Sequence, residues 1–168
     1  MENPLVLLET SSGDILLELF PDKAPVTVEN FLRYVDDGFY SGTIFHRVIK
    51  GFMIQGGGMS MRLQEKATRP PVVNEAANGL TNARGSLAMA RTSEPHSASS
   101  QFFINTVDNP GLDYNSADRE GFGYCVFGQV IDGMDVVDKI EKIRVRTMGE
   151  HGDVPVDSVL IVTASRFE

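Results

Sequence analysis

The chain holds one cysteine and no tryptophan in 168 residues. A single cysteine cannot form an internal disulfide, and without a CxxC pair the sequence offers neither a zinc ribbon nor a dithiol redox site. Basic side chains are also scarce: 15 Lys and Arg against 23 Asp and Glu leave a formal charge of −8. That balance argues against a general nucleic-acid binder, which must displace phosphate counterions with clustered cations, and against an anionic membrane surface. No apolar run approaches the roughly 18 residues of a membrane-spanning helix. Met1-Glu2-Asn3-Pro4 lacks the basic region of a secretory signal, and Leu5 to Leu8 is too short an apolar run for one. The expectation is a soluble, cytoplasmic protein. Repeats, low-complexity segments and linkers are absent too, so residues 1–168 are expected to form one domain. Hydrophobic residues at 42%, with 10 Phe among them, are enough for a real core.

What is present is a run of short β-rich segments punctuated by Gly and Pro. Leu5 to Thr10 and Ile15 to Phe20 flank a Ser11-Ser12-Gly13-Asp14 turn and read as an antiparallel hairpin. Further strands are expected at Thr43 to Ile49, Phe52 to Gln55, Ser86 to Ala90, Gln101 to Asn105, Tyr124 to Val130 and Val156 to Thr163. Two helices interrupt them. In the first, Pro25 suits the opening turn, Val28, Phe31, Leu32 and Val35 repeat on one face, and Gly38 is a left-handed stop. The second opens at Asp132-Gly133-Met134 and repeats Met134, Val137 and Ile140, with Asp132 and Asp135 favouring its dipole. Two helices and about eight short strands imply a closed antiparallel β-barrel with helical lids, because closure removes exposed sheet edges.

The most informative stretch is Ile44-Phe45-His46-Arg47-Val48-Ile49-Lys50-Gly51-Phe52-Met53-Ile54-Gln55-Gly56-Gly57. As a strand hairpin it puts Phe45 and Arg47 on one face, and Met53 and Gln55 on one face. An Arg and a Gln interleaved with large apolar side chains suit a shallow apolar pocket with two polar orienting groups. They equally suit an exposed Arg on an edge and a solvated Gln, and on residue types alone that plain reading comes first. Gln101 and Phe103 repeat the pairing of polar with aromatic. Gly56-Gly57-Gly58 has no accompanying nucleophile elbow, Walker sequence or dinucleotide fingerprint, so it reads as a tight turn beside packed side chains. His46, His96 and His151 lack metal-ligand spacing, and Cys125 sits in an apolar strand as a small buried hydrophobe. No metal and no cofactor is expected.

Phe45 to Gly57 and Ser100-Gln101-Phe102-Phe103-Ile104 closely resemble the signature segments of the cyclophilins, the peptidyl-prolyl cis–trans isomerases. The resemblance continues through Ala24 to Phe31, Gly85 to Ala90 and Val126 to Val130 into the second helix. It covers almost the whole chain in order, and it is nearest to the bacterial cytoplasmic branch. It implies a mainly β fold: an eight-stranded antiparallel closed barrel capped by two α-helices, with the active site on its outer face. It also implies that Arg47 is the catalytic donor. Phe52, Met53, Phe103 and Leu112 would hold the proline ring, while Gln55 and the backbone at Ala90 and Arg91 would fix the substrate chain. Gln101 would line the pocket, and Tyr124 would stand on a wall where the family often has His. The partners implied are proline-containing peptides and unfolded or partly folded proteins. A monomer is expected, since no coiled coil or long apolar edge argues for assembly.

Two further departures bear on function. Arg91 stands where many members have Asn and brings a second positive charge. Gly111, in Asn109-Pro110-Gly111-Leu112-Asp113, stands where the family commonly has Trp or another aromatic as a pocket roof. Weak cyclosporin binding with less-affected prolyl turnover is the expectation. The competing readings are a proline-peptide-binding scaffold or chaperone with little turnover, and a hydrolase or metalloenzyme. The missing triad order and missing ligand spacing weigh against the last.

Overall fold

The computed structural model describes residues 2–168. Ten strands and two helices follow in the order β1 (Leu5–Thr10), β2 (Gly13–Leu19), α1 (Pro25–Asp36), β3 (Arg47–Ile49), β4 (Met53–Gly56), β5 (Ser86–Met89), β6 (Phe102–Asn105), β7 (Val126–Asp132), α2 (Met134–Glu141), β8 (Val145–Met148), β9 (His151–Pro155) and β10 (Ile161–Phe167). Eight strands make one sheet in the order β10-β1-β2-β7-β5-β6-β4-β3, with every neighbouring pair antiparallel. β8 and β9 form a separate hairpin that packs on β3.

The sheet is an open half-barrel, which corrects the expected closed one: β10 and β3 remain its edges. The reason is strand length. β3 has only three residues, and the expected strand from Thr43 breaks before it into isolated bridges, Thr43 with Ser60 and Ile44 with Leu160. Backbone bonds from Gly42 N–H to the Ile161 carbonyl (2.8 Å), from Phe45 N–H to the Val159 carbonyl (3.0 Å) and from Ile161 N–H to the Thr43 carbonyl (2.8 Å) reach across that gap.

Side-chain alternation gives the sheet two faces. Val6, Leu8, Ile15, Leu17, Ile54 and Ile104 are fully buried on the inner one. α1 lays Val28, Phe31, Leu32 and Val35 against this core, as its sequence period predicts. Its N-terminal donors are met from far along the chain: the Glu75 carboxylate accepts from Thr27 N–H and Thr27 Oγ1, each at 2.7 Å. Gly38 follows the helix with φ +72°. α2 buries Val137 and Ile140. Phe102 stands edge-on to Phe31, Tyr40 and Phe45, with ring centroids 5.5, 5.4 and 6.1 Å away, an arrangement aromatic quadrupoles favour.

The remaining differences from expectation are local. β7 begins at Val126 and runs through Asp132, so Asp132 ends a strand and Gly133 caps α2. The last strand is Ile161–Phe167 rather than Val156 to Thr163. The β8–β9 hairpin was not expected, because its residues are mostly exposed or half-buried and show no apolar alternation. None of the helices among the described residues is long and apolar enough to cross a membrane.

Candidate active site

The outer face of β3, β4, β5 and β6 carries the site. Arg47 lies opposite Gln55, and Ile49 opposite Met53. Gln55 also lies opposite Phe103, and Ala88 opposite Phe103 on the other side. These residues therefore point one way while Val48, Ile54, Leu87 and Ile104 point into the core. Met53, Ala88, Phe103 and Val126 form a second apolar cluster outside the sheet, with Phe52, Leu112 and Tyr124 packed against it. Phe45 does not share a face with Arg47 as the strand reading expected. Phe45 is fully buried in the main core, because the strand geometry starts only at Arg47.

A cavity of about 110 Å³ opens on this cluster. It is lined by Arg47, Phe52, Met53, Gln55, Ala90, Arg91, Phe103, Leu112 and Tyr124. Nine of the ten sequence-predicted site residues thus meet in one place. The tenth, Gln101, lines an adjoining cavity of about 260 Å³ that shares Gln55, Ala90 and Arg91 with the first. Gln101 still couples to the site: its side-chain oxygen accepts from Gln55 Nε2 at 2.9 Å, and Gln55 Oε1 faces Arg47 Nη1 at 3.5 Å. The glutamine pair orients the guanidinium along the pocket wall. Gly56, Gly57 and Gly58 pack as tightly as expected. A Cβ on Gly58 would lie 2.4 Å from Gln101 Cγ, and one on Gly57 would lie 2.6 Å from the Phe102 ring.

Arg91 is pinned at the seam of the two cavities. Its Nε donates to the Gly123 carbonyl at 2.9 Å, its Nη1 donates to the Thr92 carbonyl at 2.8 Å, and its guanidinium stacks 4.5 Å from the Tyr124 ring centroid. Tyr124 in turn meets Phe103 edge-on at 5.7 Å. Gly111 sits in a 3-10 turn, Pro110–Leu112, where an added Cβ would find nothing within 4 Å. Gly111 itself does not line the pocket, although its neighbour Leu112 does.

Sequence reading missed a cluster of asparagines, Asn82 and Asn105 buried and Asn109 half-buried, that bonds to the pocket wall. Asn109 Nδ2 donates to Asn105 Oδ1 (2.7 Å) and to the Phe52 carbonyl (2.9 Å). Asn105 Nδ2 donates to Asn82 Oδ1 (3.1 Å), and Asn82 Nδ2 donates to the Leu112 and Tyr124 carbonyls. Three pocket-wall residues are thereby tied to one network. The only signal for it was Asn105 ending an otherwise apolar strand.

The other reactive side chains stand apart. Cys125 is buried, and burial pushes its thiol up to about 11, with a Thr27 hydroxyl 3.6 Å away. A thiolate is disfavoured there. His46, beside Arg47 in sequence, is buried. Burial, with His151 and Arg47 nearby, pulls it down to about 4, and its Nδ1 has no hydrogen-bond partner in the protein. His96 Nδ1 accepts from Asn74 N–H at 2.9 Å. No group of three or more potential metal-binding side chains occurs among the described residues.

The site is thus a shallow pocket on the outside of the antiparallel sheet, with an apolar cluster at its base and the guanidiniums of Arg47 and Arg91 on its wall. The family model described as cyclophilin type peptidyl-prolyl cis-trans isomerase/CLD matches residues 5–166, and the chain belongs to that family. It is 57% identical over 164 residues to peptidyl-prolyl cis-trans isomerase B of Escherichia coli (strain K12), covering 98% of this chain and 100% of that protein. It is 54% identical over 159 residues to peptidyl-prolyl cis-trans isomerase cyp18 of Streptomyces antibioticus, covering 95% and 96%. The crystal structure of a Cryptosporidium parvum cyclophilin type isomerase superposes with a TM-score of 0.79 at 29% identity, over 99% of this chain and 98% of that one. The same protein, solved in the presence of the dipeptide Ala-Pro, gives a TM-score of 0.78 at 29% identity, over 98% and 99%.

Proposed function

We propose that this isomerase accelerates rotation about X–Pro bonds by seating the proline ring on Phe52, Met53, Phe103 and Leu112 while Arg47 donates to the proline nitrogen. The unassisted rotation has a barrier near 20 kcal/mol and takes tens of seconds or more. Twisting the amide breaks its resonance and localises the lone pair on nitrogen. A donor aimed at that nitrogen stabilises the twisted state more than either planar one, and only such a difference raises the rate. Guanidinium groups keep their charge across the physiological range. No covalent step, metal or cofactor enters. The apolar floor holds the ring still, so the carbonyl side turns, and Gln55 with the backbone at Ala90 and Arg91 fixes the flanking chain.

The observation that carries this reading is Arg47. Its guanidinium has no carboxylate partner among the described residues and lies on the wall of an apolar pocket of proline size. Line-broadening exchange on an X–Pro peptide is the direct test. Catalytic amounts of protein speed cis–trans exchange, and Arg47→Ala removes most of that effect. A variant with wild-type rates would strip Arg47 of its role.

The substrates are exposed X–Pro bonds in peptides and in unfolded or partly folded chains, met by one domain acting as a monomer in the cytoplasm. The bridge between Ile44 and Leu160 acts as the seam that closes the sheet toward a barrel. The lack of a side chain at Gly111, next to Leu112 of the pocket, supports weak binding of cyclosporin-type cyclic peptides. Nanomolar inhibition of the unaltered protein would contradict that.

A further inference from the structure

Arg91 borders both the proline pocket and the larger cavity beside it. Arg33, Arg69, Arg84, Arg119 and Arg166 each form an ion pair with a carboxylate, and Arg91 forms none among the described residues. Its hydrogen bonds go to neutral carbonyls, and its ring stack on Tyr124 leaves the charge uncompensated. The two carbonyl bonds and the stack fix its geometry before any ligand arrives, so ordering it on binding costs little. Arg47, the other unpaired guanidinium of the proline pocket, adds to the same local field.

The surrounding charges sharpen the point. Lys66 and Glu65 also border the larger cavity, but neither borders the proline pocket. Lys66 is held elsewhere, donating to the Phe39 carbonyl with its ammonium 4.4 Å from the Phe39 ring centroid. Glu65 is exposed and disfavours an anion deep in the larger cavity. The cationic spot is therefore confined to the seam, on a protein whose formal charge is −8.

We propose that the Arg91 side chain makes this site select substrates carrying an acidic side chain within two residues of the proline. This rests on the isomerase reading above. A guanidinium with N–H groups to spare matches a carboxylate better than its amide.

The test uses peptides with Glu at one or two positions before or after the proline, each paired with the Gln peptide. Exchange rates give catalytic efficiency, and titration gives affinity without turnover. The expected result is a Glu over Gln preference of about threefold to fivefold at one of these positions, the range of a partly exposed ion pair. The preference shrinks in molar salt. It falls to about one in Arg91→Gln and survives in Arg91→Lys, whatever the absolute activity of either variant. A preference absent at all four positions, or one that persists in Arg91→Gln, overturns the proposal. Wild-type protein that turns over neither peptide of any pair would instead overturn the isomerase reading.

Discussion

Phe102 and Phe103 are neighbours on β6, and they belong to different parts of the molecule. Phe102 points inward, is fully buried and meets three other aromatic rings edge-on. Phe103 points outward, meets only Tyr124 in that way and floors the pocket. His46 and Arg47, two strands away at the start of β3, repeat the contrast of buried and exposed neighbours: a buried imidazole beside an exposed guanidinium. The same four strands thus supply both a core and a site, and a step of one residue decides which. The outer face is apolar enough to hold a proline ring because it is a second, smaller cluster with its own buried members. It differs from the core in being left open on one side and rimmed by polar groups.

The largest effect that would break this contrast comes from the two phenylalanines. Phe102→Ala should cost about 3–5 kcal/mol of stability, because it empties the centre of the aromatic cluster. Phe103→Ala should cost less, since solvent can enter the vacated pocket, while lowering catalytic efficiency by about tenfold or more. Denaturant titration beside an exchange assay separates the two. Equal stability losses would mean that the outer cluster is part of the core.

His46 should make the fold sensitive to acid. In the native state it holds its proton only near pH 4, against 6.5 for an ordinary histidine. As pH falls from 6.5 to 4, the unfolded chain takes up a proton that the folded one refuses, so stability is lost across that window. The loss from this group is on the order of 3 kcal/mol at the acid end. His46→Gln should flatten the dependence of the unfolding midpoint on pH between 6.5 and 4. An unchanged slope would remove His46 as its cause.

Arg47→Ala should lower catalytic efficiency by about 100-fold, the scale for deleting one donor to a developing charge. Its unfolding midpoint should stay within the range of an ordinary exposed substitution. A variant that loses activity and stability together would blur the division between faces. The smallest effect is at Gly111. A Cβ at Gly111 meets nothing within 4 Å, and Gly111→Trp should tighten cyclosporin binding by about tenfold, the equivalent of roughly 1.4 kcal/mol. Inhibition curves that superpose for the two proteins would mean the missing aromatic does not govern binding.

Most of the site was legible only through the resemblance to the cyclophilin signatures, because strand alternation by itself fits an exposed Arg and a solvated Gln at least as well. Met53 with Gln55, and the segment from Arg47 onward, follow a period of two. Arg91 and Tyr124 were placed by resemblance, but nothing in the sequence announces that one guanidinium stacks on the other's ring, since 33 positions separate them. The Phe45 expectation failed for a local reason: alternation holds only where a ladder exists, and β3 is too short to include it. The closed barrel failed for the same reason at the sheet edge.

By itself, the sequence determined the two helices, most strands, the family and the residue types of the pocket. These follow from local periodicity and from motifs read within a dozen residues. Tertiary structure alone decided the rest. It set which cavity Gln101 enters, the open edge between β3 and β10, and the cap that Glu75 gives to α1. It also set the asparagine network that ties Phe52, Leu112 and Tyr124 together, and the unpaired charge of Arg91. Each is a contact between distant segments, and no local pattern encodes which buried polar group will find which partner.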